Sequence, residues 1–193
     1  MPFSHSGQLS TIVRFAEGLQ PLSVLDVGTG MGQYGFLLRT NLENVELFDV
    51  PADAPPRQRP RSAWRRRIDG IEGFALYRTP VHDWAYTNWI VGEALQVLSG
   101  MADRSYELVM AIDILEHFET AEGLKLLSEC ARVASRAVLV STPKTFMHQE
   151  VEANPLENHR SLWTEGQLAE AGYGRVLPDA DSWIVVHDVA PAP

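Results

Sequence analysis

The sequence predicts an α/β fold built on a mostly parallel sheet and finished by an antiparallel hairpin. Two observations carry the first part. Short apolar runs closed by glycine, aspartate or proline alternate along the chain with stretches of helical periodicity. The third observation lies at the C-terminus, where strand-like runs at 173–177 and 183–189 are separated only by Pro178-Asp-Ala-Asp-Ser182. That gap is too short for a helical crossover, so the two strands pair antiparallel.

Taken in order, Ser10 to Leu19 places Ile12, Val13, Phe15, Ala16 and Leu19 at helical spacing. Ser23-Val-Leu-Asp-Val27 reads as a buried strand ending at Gly28, and Tyr34 to Leu38 begins the following helix. Arg67 to Glu72 and Asn88 to Gly92 are shorter strands. Tyr106 to Asp113 is a strand followed by a helix through about Ala131, and Ala137 to Ser141 is another, closed by Thr142-Pro143. Asn41 to Trp64 breaks the rhythm. Its Pro51, Pro55, Pro56 and Pro60 argue against long regular elements, so it reads as an insertion in one domain spanning residues 1–193.

Composition narrows the function classes. The chain has 193 residues, 45% of them hydrophobic, enough for one domain with a sizeable core. Sixteen basic against 25 acidic residues give a net charge of −9, which disfavours a generic polyanion binder. The single Cys130 excludes an intrachain disulfide framework and a CxxC zinc site. No apolar run approaches the roughly 18 residues of a membrane helix. The first ten residues carry no basic n-region or apolar h-region, which predicts no secretory signal and a cytoplasmic location. Monomer and homodimer are not distinguished.

The sharpest local signal is Val24-Leu-Asp26-Val-Gly28-Thr29-Gly30-Met-Gly32. A strand running into Gly-x-Gly-x-Gly and then a helix lets the backbone approach a ligand closely. A dinucleotide fingerprint requires Gly-x-Gly-x-x-Gly, but position 33 is Gln33. Asp26 suits a ligand with a cationic amino group better than a pyrophosphate.

On these residues the chain resembles the class I S-adenosylmethionine (SAM)-dependent methyltransferases of the type 11/12-like group. The resemblance implies a Rossmann-like fold with a seven-stranded, mostly parallel sheet, helices on both faces and the C-terminal hairpin. It implies SAM as cofactor, with Asp26, Gly28, Thr29, Gly30 and Gly32 shaping the methionine side. It also implies an acid for the ribose hydroxyls at the end of the second strand. Asp49 and Glu72 compete for that role. Glu72 is preferred because Gly70-Ile-Glu72 closes the cleaner apolar strand. Glu93 is matched to the adenine amino group, although negative charge also favours a helix start. Ala94 and Asp113 would flank the adenine and the methyl.

Asp113-Ile-Leu-Glu116-His117 carries a second expectation. If a helix begins near Asp113, then Asp113, Glu116 and His117 share one face and would hold Mg²⁺ or a similar divalent ion. The sequence is similar to the Glu-x-x-Glu-His motif of metal-dependent methyltransferases, with His148 or His159 as a further ligand. The alternative is that these residues line the cofactor pocket without metal.

The segment Lys144 to Trp163 is polar and aromatic and follows a strand end, where ligands of open α/β sheets bind. His159, then His148, is the choice for a general base or substrate-orienting group. Trp84, Tyr86 and Trp89 form either an aromatic wall or core packing. Arg57, Arg59, Arg61, Arg65, Arg66 and Arg67 read first as a solvated loop and second as a contact for an acidic substrate. Outside this cluster 10 basic residues face 25 acidic ones, which argues against nucleic acid. The expected function is methyl transfer to an oxygen or nitrogen of a small molecule or glycan precursor. Substrate choice would fall to three segments: Asn41 to Trp64, Thr79 to Trp89 and Lys144 to Trp163. A metal-assisted O-methyltransferase, a SAM-binding protein without catalysis and, disfavoured, an NAD-dependent oxidoreductase are the alternatives.

Overall fold

The computed structural model of the chain describes residues 4, 6–44 and 47–190. Six helices and nine strands follow one another as α1 (Ser6–Leu19), β1 (Ser23–Val27), α2 (Gln33–Glu43), β2 (Phe48–Asp49), β3 (Arg57–Gln58), β4 (Arg67–Glu72), α3 (Pro80–Ala85), β5 (Asn88–Val91), α4 (Ala94–Ser99), β6 (Tyr106–Ile112), α5 (Thr120–Val133), β7 (Ala134–Pro143), α6 (Glu165–Glu170), β8 (Arg175–Leu177) and β9 (Ser182–Asp188) among the described residues.

The main sheet has seven strands in the order β5-β4-β1-β6-β7-β9-β8. Neighbours from β5 through β7 pair parallel, and β9 alone runs against both β7 and β8. This is the mostly parallel sheet with a terminal hairpin that the sequence predicts. Strand order reverses at β1, where the chain leaves toward β4 on one side and β6 on the other. The carboxyl ends of these strands therefore diverge into a crevice.

Both faces of the sheet are covered, as parallel strands require. On one face α1, α2 and α3 bring Ile12, Leu38, Ala85 and Tyr86 against Val24, Ile68 and Met110. On the other, α4, α5 and α6 pack Leu98, Leu126, Cys130 and Leu168 against Leu25, Val27 and Val138. The split follows the period of two in β1, which sends Val24 and Asp26 to one side and Leu25 and Val27 to the other.

The insertion contains a small separate ribbon, with Phe48 opposite Gln58 and Asp49 opposite Arg57. Its arginines correct the solvated-loop reading, because several of them fasten the insertion to the body. The Arg59 Nε donates to Asp49 at 2.7 Å. The Arg61 guanidinium donates to the backbone carbonyls of Asp83 and Tyr86. Arg66 donates to Gln20, and Arg67 donates to the Ser105 carbonyl while lying 4.2 Å over the Tyr106 ring. Trp64 stacks between them on the buried Arg39, whose guanidinium pairs with Glu43 at 3.1 Å.

The stretch after β6 also differs from expectation. Asp113 sits in the left-handed region at φ 49, Leu115–His117 is a single 3-10 turn, and α5 starts only at Thr120. Asp113, Glu116 and His117 therefore do not share a helix face. Aspartate adopts this backbone more readily than most residues other than glycine, and here long-range partners hold it. Here the Ser141 hydroxyl donates to Asp113 at 2.8 Å and the Gln8 amide at 2.5 Å.

Candidate active site

At the carboxyl edge of the sheet lies a cavity of about 340 Å³. Its walls come from the loop after β1 (Gly28, Thr29, Gly30), the ends of β4 and β5 (Glu72, Glu93, Ala94) and the turn after β6 (Asp113, Ile114, His117). Four separate strand ends thus deliver the residues that the sequence singles out.

Gly28 has φ 79, and a Cβ there would meet Ile114 Cδ1 at 2.7 Å. The position needs glycine both for its backbone and for the wall opposite. The Gly28 and Thr29 amides donate to the Ile71 carbonyl at 2.9 and 3.1 Å, which lashes the loop to β4. Gly32 starts α2 with φ 90 but does not line the cavity.

Glu72 is the centre of this wall. Its carboxylate accepts from the Gly30 amide at 2.8 Å and from the Phe74 amide at 2.9 Å. Burial raises its pKa, and these donors oppose that shift. Asp49, the competing acid, has a side chain 61% exposed and is paired with Arg59 on the separate ribbon, outside the cavity. The structure brings Glu72 to the site and leaves Asp49 away from it.

Asp26 departs from its expected place. It is buried beneath the loop and does not line the cavity. Strand alternation turns it toward α3, where the Tyr86 hydroxyl donates to it at 2.5 Å. The Gly35 amide in turn donates to Tyr86. Burial, the largest effect, pushes the Asp26 carboxyl up to about 6. The folded protein holds this proton to about pH 6, whereas an unfolded aspartate releases it near 3.8. The Asp26 contribution to stability therefore falls as pH rises through that window and is level above it. Asp26→Asn lacks the slope. Its stability relative to wild type is expected to rise by on the order of 2 kcal/mol between pH 4 and pH 7. Urea denaturation of both proteins at the two pH values measures this, and parallel behaviour would refute it.

The aromatic trio resolves into packing rather than a wall. Tyr86 is 1% exposed, and Trp84 packs edge-on against Trp64. Trp89 donates its indole N–H to Thr29 at 3.1 Å from behind the loop. None of the three lines the cavity, nor does any described residue of 41–64. Of the three expected specificity segments only Lys144 to Trp163 reaches it, through Asn154, Leu156, Glu157 and Arg160.

The histidines sort clearly. The His148 side chain is 75% exposed, 4.0 Å from Glu150 and outside the cavity. His117 lines the cavity, with His159 behind it at 5.1 Å between ring centroids. Both rings turn Nδ1 to a backbone carbonyl, that of Asn158 at 3.3 Å and that of Met147 at 2.7 Å. This fixes Nδ1 as the protonated nitrogen and leaves Nε2 with a free lone pair. Burial lowers the His117 pKa, which keeps the ring neutral.

Glu116, His117 and His159 present ligand atoms within 4.8 Å of one another. This trio replaces the expected Asp113–Glu116–His117 set, because both Asp113 oxygens already accept from Ser141 and Gln8. Glu116 is 4% exposed and accepts from the Thr142 hydroxyl at 3.0 Å, with no cation beside it in the described residues. Two imidazoles whose Nδ1 atoms are tied to backbone carbonyls and a buried carboxylate are a donor set that suits a divalent ion.

Sequence reasoning missed Tyr34, Phe118, Glu122 and Ser4, which also face the cavity. Tyr34 follows the glycine loop directly, a signal available in the sequence. Ser4 had none, since only tertiary folding brings it to the cavity.

Comparison with protein families and with curated proteins finds no match to this sequence. Solved structures do match it. A SAM-dependent methyltransferase from Archaeoglobus fulgidus is 13% identical with a TM-score of 0.61, over 94% of this chain and 91% of that one. Magnesium protoporphyrin IX methyltransferase from Synechocystis PCC 6803, solved with bound SAH, is 16% identical with a TM-score of 0.58, over 95% and 82%. The cyclase SpnF is 14% identical with a TM-score of 0.62, over 96% and 82%. The chain has the fold of class I SAM-dependent methyltransferases. No helix of the described residues is long and apolar enough to cross a membrane.

Proposed function

We propose that this chain is a SAM-dependent methyltransferase that modifies an oxygen or nitrogen of a small molecule or glycan precursor. The observation that carries the reading is the Glu72 carboxylate, fastened to the glycine loop by the Gly30 amide and facing a cavity of cofactor size. An acid held by two backbone amides keeps lone pairs for a ribose diol. Glu93 and Ala94 border the adenine end, and Gly28, Gly30 and Asp113 border the methionine end. SAM supplies a methyl group on sulfonium, open to in-line displacement. The protein's task is alignment, together with removal of the acceptor proton. His117, which lines the cavity and has its Nδ1 turned to the Asn158 carbonyl, is the group placed to take that proton, and His159 backs it.

Calorimetry with SAM, its demethylated product S-adenosylhomocysteine and NAD tests the binding half. Labelled SAM with a panel of small alcohols, amines and sugars tests transfer. Binding of NAD but of neither SAM nor its product would refute the reading. Binding without transfer to any acceptor would favour a SAM-binding protein without methyl transfer. The cyclase among the structural neighbours makes that outcome worth measuring.

The Glu116–His117–His159 cluster supports a second reading, a metal-assisted O-methyltransferase. A divalent ion held there would polarise an acceptor hydroxyl. Titration with Mn²⁺ is expected to show one site in the wild type and none in His159→Ala. Equal uptake by both proteins, or uptake by neither, would leave His117 as the base in a metal-free site.

A further inference from the structure

The segment from Lys144 to Trp163 reaches the cavity and also stands outside it. Its sequence is rich in polar side chains, and several of them are spent on the loop itself. The Gln149 amide donates to the Glu157 carbonyl at 2.6 Å, and the Asn158 side-chain oxygen accepts from the Val151 amide at 2.7 Å. The buried Asn154 accepts from the Leu156 amide at 3.3 Å. His159 Nδ1 lies 2.7 Å from the Met147 carbonyl. These side chains satisfy backbone groups that no regular element pairs. The large apolar side chains are left outside: Phe146, Met147 and Leu156 are 50, 47 and 43% exposed. Three such groups on one short loop, beside amides turned inward, reverse the usual order of burial and mark a surface that meets a ligand.

Their place says what they meet. Phe146 packs edge-on against His159 at 6.5 Å between ring centroids, and His159 lies 5.1 Å from His117 on the cavity wall. Leu156 is part of that wall and lies against Gly73, where a Cβ would come within 2.6 Å of its Cδ1. The cavity itself, at about 340 Å³, is near the small end of ligand sites, which run from roughly 300 to 1,000 Å³. With the cofactor inside, the acceptor is left to the mouth beside His117, and this loop supplies the surface there.

We propose that the methyl acceptor is an amphiphile, a hydroxyl or amine on an apolar body that lies across Phe146, Met147 and Leu156 with its nucleophilic atom at His117. The inference rests on the methyltransferase reading and narrows it, from any small molecule or glycan precursor to a compound with a hydrocarbon or aromatic portion. Burial of that portion drives binding in proportion to the area removed from water. It also brings the polar atom to the base.

The test uses calorimetry on the full chain saturated with S-adenosylhomocysteine. The probes are 4-alkylphenols from methyl to butyl, with glucose and glucosamine as polar counterparts. Each added methylene is expected to tighten binding to the wild type about two- to fourfold. The double variant Phe146→Ser, Met147→Ser removes two exposed side chains that do not line the cavity. It is expected to bind S-adenosylhomocysteine as the wild type does and to lose most of the dependence on chain length. Leu22→Ser removes a comparably exposed apolar side chain just before β1, at the opposite edge of the sheet, and should retain that dependence in full.

A series without dependence on chain length, the same dependence in the double variant as in the wild type, or tighter binding of either sugar would overturn the inference and leave the methyltransferase reading in place. Failure of the wild type to bind S-adenosylhomocysteine, measured before any phenol is added, would overturn that reading and this inference together.

Discussion

Replacing Glu72 by alanine is expected to weaken binding of S-adenosylhomocysteine by about 100-fold or more, while leaving the melting temperature within a few degrees of the wild type. Two losses combine in the affinity. The ribose hydroxyls lose hydrogen bonds to a charged acceptor, each worth roughly 1.5–3 kcal/mol. The Gly30 and Phe74 amides lose their partner as well, so the loop is no longer clamped to the end of β4. Together these reach about 3–4 kcal/mol, and each 1.4 kcal/mol is tenfold. Stability moves little because burial already disfavours this carboxylate, as its raised pKa records. Glu72→Gln, which keeps one acceptor oxygen, should fall between. Calorimetry beside a thermal melt separates the two effects. An alanine variant binding as tightly as the wild type would remove Glu72 from the ribose role.

The second large effect concerns stability. Glycine in the interior of a helix is ordinarily improved by alanine, by up to about 1 kcal/mol. Gly18, exposed near the end of α1 with no heavy atom within 4 Å of its missing Cβ, is expected to follow that rule. Gly35 in α2 reverses it. A Cβ there lands in the ring of Tyr86, which is 1% exposed and held by Asp26 and by the Gly35 amide itself. The ring must move, and overpacking typically costs 1–3 kcal/mol. Displacing the buried Tyr86–Asp26 bond adds roughly another 1–3 kcal/mol. Gly35→Ala is therefore expected to lose about 3 kcal/mol and to lower the melting temperature by about 10 °C for a chain of this size. Opposite signs for Gly18→Ala and Gly35→Ala in one denaturation experiment are the expected result. A stabilised Gly35→Ala would mean that Tyr86 has room to spare.

Much of this was legible in the sequence, for reasons that differ by element. Continuous apolar runs announce parallel strands because both sheet faces are covered, and β1, β4, β6 and β7 fall where those runs lie. The short gap at Pro178 to Ser182 makes the hairpin a matter of chain length alone. The choice of Glu72 over Asp49 as the acid at the site follows from strand quality, since an acid ending a buried strand lands at the sheet edge. What the sequence hides is contact at long range. Asp113 was read into a helix because its spacing to Glu116 and His117 fits one. Its left-handed backbone is instead matched to Ser141 and Gln8, 28 and 105 residues away. Asp26 was aimed at the ligand, although the same strand alternation that separates Leu25 from Val24 turns it to the opposite face. The arginines between Arg57 and Arg67 looked free because their carbonyl acceptors lie on distant segments. His82 left a faint trace, a threonine and proline opening a short helix, but its contact with Thr29 reaches 53 residues back along the chain.

Helix α3 and the Tyr86 that caps it brace the glycine loop, through His82 to Thr29 within it and through Tyr86 to Asp26 and Gly35 on either side of it. A segment with three glycines in five residues would, left to itself, sample many conformations and surrender that freedom when a ligand arrives. Here six helical residues act as a splint, and the ordering is completed when the chain folds. Ligand capture should accordingly show little rearrangement of this loop. Its amides should resist hydrogen exchange almost as well in the empty protein as in the loaded one.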